Sequence, residues 1–246
     1  MIAVPARVAE VWVYLSASPL LWLAATLAAY LAADELAGRT NRHPLVNTVA
    51  LAAAFVIVAL VVSHTDYPVY FAGAQFVHFL LGPATVALAV PLYRNLALVR
   101  AVLAPMTAAL LCGSVTAIVS TVLIARALGA PPELVAALAP RSVTMPIAMT
   151  LAQDQGGAPS LAAAMVMLTG VFGAAILSVL MAALRVKDHA AIGFAAGLAS
   201  HSIGIARAFQ IDSAAGTFAG LAMGLNGALT SVLLPLTLGV LGAIAR

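Results

Sequence analysis

Two short stretches place ionisable and hydroxyl side chains inside strongly apolar sequence. The first, AALAPRSVTMPIA at 136–148, carries Arg141, Ser142 and Thr144; the second, AGLASHSIGIARA at 196–208, carries His201, Ser202 and Arg207. An arginine fork can grip a carboxylate through two parallel hydrogen bonds, and neighbouring hydroxyls can read a second oxygen on the same ligand. Thr144 followed by Pro146 reads as the start of a half-helix, with Pro146 in the first turn, where backbone N–H groups lack intrahelical partners. Those N–H groups and the positive end of the helix dipole favour an anion. Histidine gains or loses a proton near neutral pH, so His201 is a candidate for coupling ligand movement to protons. Asn226, a polar group in a later apolar stretch, either lines the same cavity or hydrogen-bonds between helices.

The two stretches match each other. Ala136, Leu138, Ala139, Ser142 and Ala148 fall on Ala196, Leu198, Ala199, Ser202 and Ala208, with Arg141 on His201 and Val143 on Ile203. A second match pairs GVFGA at 170–174 with GLNGA at 224–228. Ionisable residues in a membrane-type background are costly and mark sites, and their recurrence in a repeat suggests a site built around a pseudo-two-fold axis.

The background is membrane-type by composition. Of 246 residues, 64% are hydrophobic and 8% charged, against the roughly one quarter charged that a soluble domain carries. The apolar runs are long and rich in Ala, Leu and Val, without the alternating ten-residue segments of a lipid-facing barrel. The fold class expected is an all-α integral membrane protein, a polytopic helical bundle. The net charge of +3 comes without a basic, aromatic-interleaved stripe, so no nucleic-acid partner is expected. The single cysteine, Cys112, excludes an internal disulfide, and the five histidines show no ligand spacing, so no metal is expected. No nucleophile elbow, P-loop or dinucleotide fingerprint is present, so neither an enzyme nor a cofactor is expected.

Apolar runs and breakers divide the chain. Spans are expected at 8–33, 44–62, 67–92, 100–128, 160–184 and 213–245, with the third broken at Leu81-Gly82-Pro83 and again at Pro91. Segments 131–153 and 189–210 are interrupted at Pro140-Arg141-Ser142 and around 200–204, with Pro146 and Gly204 as further helix-break residues. The turns near 34–43, 93–100 and 185–189 carry Lys and Arg, while those near 63–66 and 153–159 carry none. With the basic turns cytoplasmic, 131–153 begins and ends outside and 189–210 begins and ends inside. Each is then a re-entrant hairpin followed by a span, and the two units run in opposite directions. This is an inverted repeat covering 131–246, preceded by N-terminal spans over 1–130.

PRSVTMPIAM at 140–149 resembles the signature KSVTTPIA of the LrgB/CidB family, and SHSIGIAR at 200–207 resembles its second signature, HxxGTAR. VALAVPLY at 86–93 and HPLVN at 43–47 match two further family segments, in order along the chain. Met145 and Ile205 stand where threonines are usual, and Arg141 replaces a usual lysine, which keeps the charge but changes the geometry. The family includes the plastidal glycolate/glycerate translocator of plants, in which this module follows an LrgA/CidA-like segment. It also includes bacterial holin/antiholin-like regulators of murein hydrolase export and some pyruvate uptake components. The resemblance implies a secondary transporter of small monocarboxylates (glycolate, glycerate, lactate or pyruvate), working by an elevator-like shift of the hairpins against an N-terminal scaffold that forms a homodimer. The alternative it implies is a holin-like regulator without a substrate cycle. Either would sit in the bacterial cytoplasmic membrane, with a separately encoded LrgA/CidA-like membrane protein as a partner.

Overall fold

A computed structural model of the chain describes residues 18–40, 42, 43, 46–80, 83, 86, 87, 89–94 and 96–244. All regular structure among them is helical: α1 (Pro19–Arg39), α2 (Thr48–Ser63), α3 (Tyr67–Phe79), α4 (Ala89–Arg94), α5 (Leu96–Ala101), α6 (Leu103–Ala127), α7 (Pro132–Leu138), α8 (Met145–Asp154), α9 (Pro159–Ala183), α10 (His189–Ile211) and α11 (Ser213–Ile244). The chain divides into two compact units, Met1–Ala87 and Leu88–Arg246.

In the first unit α1 packs against α2 and α3. A Cβ on Gly73 would overlap the Pro19 carbonyl, so α3 closes on the start of α1 only because that position is glycine. Trp22 and Tyr70 meet edge to face at 5.9 Å beside it. Two boundaries differ from the expected ones. The first helix continues through Asp34 and Glu35 instead of ending before them, and each acid pairs with a later arginine: Arg42 at 2.8 Å and Arg39 at 3.0 Å. The second helix starts at Thr48, capped by Asn47, whose Oδ1 accepts from the Ala50 amide at 3.0 Å. Such a cap contributes about 1 kcal/mol, enough to fix the start. The helix break anticipated at Leu81-Gly82-Pro83 lies outside the described residues apart from Pro83, which is helical. Pro91 lies inside the short helix α4 and does not interrupt it.

The second unit holds both hairpins. α7 and α8, of 7 and 10 residues, are joined through Pro140-Arg141-Ser142, and Ala137 and Ala152 pack in one cluster with Ala162 of α9. The chain therefore reverses at the tip. α10 looks continuous by length, but His201 has φ 41 and ψ −133. A Cβ on Gly204 would overlap the carbonyl oxygen of Ala196. In a straight helix residues eight apart are about 12 Å distant, so the chain folds back at His201 into two arms, α10a (189–200) and α10b (202–211). No arm of either hairpin exceeds about 18 Å, well short of the roughly 30 Å hydrocarbon core of a bilayer. Among the described residues five helices are long and apolar enough to cross a membrane, but this reversal removes α10 from the crossings.

Contact order fixes directions. Val166, Gly170 and Ser178 along α9 meet His201, Ile203 and Arg207 in the same sequence, so α9 and α10b run parallel. Gly193 and Gly197 meet Ala215 and Ala219, so α10a and α11 run parallel. Since α10a and α10b are antiparallel, so are α9 and α11. Hairpin plus span thus occurs twice in opposite directions, an inverted repeat. α6 packs on α7, α10 and α11 as a further helix outside the repeat.

Candidate functional site

The two tips converge on Asn226 of α11. Its Nδ2 donates to the Ser142 carbonyl at 3.0 Å and to the Leu198 carbonyl at 3.2 Å, one from each hairpin. Its Oδ1 accepts from Ser114 of α6 at 2.7 Å and from Thr230 at 3.2 Å. Both carbonyls stand where a helix has been interrupted and lacks its own amide donors. With 1% exposure and each polar atom engaged, Asn226 is a clasp between tips, spans and α6, not an open group lining a cavity.

Arg141, at the tip of the first hairpin, reaches the other way. Its Nε donates to Thr121 Oγ1 of α6 at 2.9 Å, and the Thr121 hydroxyl is itself directed to the Ala117 carbonyl at 2.6 Å. The two Nη groups make no hydrogen bond or ion pair among the described residues. They belong to the one residue of the first hairpin that walls a cavity of about 370 Å³, whose other walls include Thr169, Phe172 and Gly173 of α9 and Ala199 and Ser200 of α10a. One arginine and two hydroxyl-bearing residues therefore wall this space, whose other walls are apolar. A held Nε with two open Nη groups is the arrangement that offers parallel donors to a planar anion.

The sequence-derived candidates separate on inspection. Ser142 is buried and contributes its carbonyl to Asn226, while Thr144 occupies the N-cap position of α8 without a capping hydrogen bond from its side chain. His201, 2% exposed, has Nε2 2.9 Å from the Val166 carbonyl. A carbonyl only accepts, so Nε2 carries the hydrogen, and Nδ1 lies 3.4 Å from Ser202 Oγ. The ring fits there because a Cβ on Gly170 would come within 2.5 Å of His201 Cε1. Ser202 is exposed and Arg207 donates to Ser178 and Gln210, both at 3.1 Å, so neither walls the Arg141 cavity. No group of three metal-ligating side chains lies together among the described residues.

Sequence reasoning passed over Thr121, Thr169 and Ser200. Ser200 was within the marked helix break, and Thr169 immediately precedes the matched glycine Gly170. Its repeat counterpart is Met223, so the repeat match gave no hint of a hydroxyl there.

Comparison with known proteins identifies the family. The LrgB-like family model matches residues 26–240. YxaC of Bacillus subtilis is 32% identical over 86% of this chain and 91% of its own length, and YwbG of the same organism is 33% identical over 87% and 94%. The holin-like protein CidB of Staphylococcus epidermidis is 28% identical over 85% of this chain and 91% of its own. No solved structure matches significantly. With the family model covering nearly the whole chain and its helices long and apolar enough for a bilayer, the protein is an integral membrane protein belonging to the LrgB-like family.

Proposed function

We propose that the chain is a holin/antiholin-type membrane protein, a regulator of what crosses the bacterial cytoplasmic membrane and of murein hydrolase export. The observation that carries this reading is the likeness to CidB, named holin-like, over 85% of the chain. A separately encoded LrgA/CidA-like membrane protein is its expected partner. Deleting the gene, alone and together with that of such a partner, should change the rate of detergent-induced autolysis and the murein hydrolase activity in the medium. Unchanged autolysis and export in both strains would sink it.

A second reading rests on a different observation, the open Nη pair of Arg141 in a cavity beside the hairpin tips. It is a carrier of small monocarboxylates of the glycolate, glycerate, lactate or pyruvate type. Arg141 holds the carboxylate, Ser200 and Thr169 read the neighbouring hydroxyl or keto oxygen, and His201 couples the cycle to protons. Motion is an elevator-like shift of the two hairpins and their spans against a dimeric scaffold. Liposomes carrying the protein separate the readings: saturable counterflow of labelled glycolate, lost in Arg141→Ala, supports the carrier. Unselective release of larger solutes with no saturable uptake supports a pore-type action and removes the carrier.

A further inference from the structure

A second cavity lies further along α9, toward its C-terminal end. It measures about 760 Å³ and opens between the end of α9, the turn at 184–188 and both ends of α10. Its character is divided. Met181, Val186, Ile192 and Ile211 make an apolar wall, and Arg185 and Lys187 stand at its rim. Both cations are exposed, and neither forms a hydrogen bond or an ion pair among the described residues. Ser178, in the wall, accepts from Arg207, which adds a third cation behind it.

Two acids next in sequence to the lining residues, Asp188 and Asp212, have partners of their own. Asp188 accepts from the Ala191 amide at 2.8 Å as the cap of α10. Asp212 accepts from the Ala214 amide at 2.7 Å and lies 3.4 Å from His189. Neither walls the cavity. Among the described residues no carboxylate lies within ion-pair distance of Arg185 or Lys187.

The location specifies what would neutralise these two cations. The cavity sits at the end of α9, a helix long enough to span a bilayer, at the turn that the distribution of Lys and Arg places on the cytoplasmic side. A charged rim over an apolar wall at that level matches a phosphate headgroup above an acyl chain. Free phosphate would use the rim alone, and a zwitterionic lipid brings its own compensating cation.

We propose that this cavity is a binding site for an anionic phospholipid, with the headgroup phosphate between Arg185 and Lys187 and an acyl chain along Met181, Val186, Ile192 and Ile211. The site is separate from the Arg141 cavity and holds under either functional reading. Each basic side chain near an anionic headgroup is worth about 1 kcal/mol, so losing both should weaken binding roughly 5- to 30-fold.

The test is native mass spectrometry of the full-length protein in uncharged detergent, titrated with dioleoylphosphatidylglycerol, dioleoylphosphatidylcholine or inorganic phosphate. Wild type should retain phosphatidylglycerol in preference to phosphatidylcholine, and added inorganic phosphate should not displace it. Arg185→Gln/Lys187→Gln should weaken phosphatidylglycerol within the stated range and leave phosphatidylcholine unchanged. Ala182→Trp, which fills the apolar side of the cavity with its charge intact, should also weaken it. Arg94→Gln/Arg100→Gln, on another basic turn, should not. Equal retention of the two lipids, displacement by phosphate, wild-type binding by the first double variant, or equal loss in the second would each overturn the assignment.

Discussion

Replacing Asn226 by alanine should loosen both hairpin tips at once. The side chain makes three bonds to other elements, to Ser142, Leu198 and Ser114, and one along its own helix to Thr230. Interhelical hydrogen bonds in membrane proteins average about 0.6 kcal/mol, which gives about 2 kcal/mol for the three. The Ser142 and Leu198 carbonyls would also be left without this donor, which moves the expected loss toward 3 kcal/mol. Asn226→Asp is the sharper variant. It has the same shape and keeps the acceptor that Ser114 and Thr230 use, but it sets a carboxylate oxygen against two carbonyls. Near neutral pH it should be at least as damaging as alanine. Acidification should restore part of the loss, because a protonated carboxyl can again donate to one carbonyl. The assay is reversible unfolding in mixed micelles, with stability extrapolated to zero denaturant. A loss under about 0.5 kcal/mol in Asn226→Ala, or wild-type stability of Asn226→Asp at neutral pH, would refute the reasoning.

Three further outcomes follow from the same geometry. His201 holds φ 41, a conformation that costs non-glycine residues of order 1–3 kcal/mol, so His201→Gly should be about 1 kcal/mol more stable than His201→Ala by the same unfolding assay, the reverse of the usual helix ranking. On the proposed carrier reading, Thr121→Val should weaken binding of small carboxylates to the purified protein about 5- to 10-fold, read by calorimetry, while Thr121→Ser keeps the Arg141 contact and restores affinity. Gly193→Leu should lower stability by at least about 2 kcal/mol, since even a Cβ there overlaps the Ala215 carbonyl, whereas Gly129→Leu, with open space around it but φ +75, should lose less in the same measurement.

Much of the architecture was legible because membrane helices announce their ends. Proline and glycine clusters marked both tips, and the unequal distribution of Lys and Arg assigned them opposite orientations before any contact was known. What stayed hidden depended on long-range pairing. Asp34 and Glu35 read as the polar end of a helix, yet α1 runs on to Arg39 with both acids paired to later arginines. Asn226 stood open between two roles, and only its four partners, drawn from hairpins, span and α6, assign it to the clasp. Thr169 and Ser200 are common residues on apolar helices, and nothing in their spacing separates them from Thr107 or Ser120, whose hydroxyls merely bond back to their own helix.

The repeat is symmetric in letters and direction but not in how its tips are held. Each span reaches the opposite hairpin, α9 receiving the Ser200–His201 tip and α11 receiving Ser142 through Asn226, which also holds Leu198 of its own hairpin. True two-fold equivalence would give Gly170 and Gly224 the same neighbour, yet Gly170 lies against the His201 ring and nothing lies within 4 Å of a Cβ on Gly224. The difference traces to α6. Its Thr121 draws Arg141 outward from the first tip and its Ser114 completes the Asn226 clasp, so the first tip is tied to a helix outside the repeat. His201, the counterpart of Arg141, turns inward to the Val166 carbonyl and accepts an unfavourable backbone conformation to do so. The two matched stretches therefore form one tip whose arginine borders a cavity and one tip whose ring is bonded to the span of the other repeat. For that reason the equivalence of Arg141 and His201 in the sequence does not translate into equivalent chemistry.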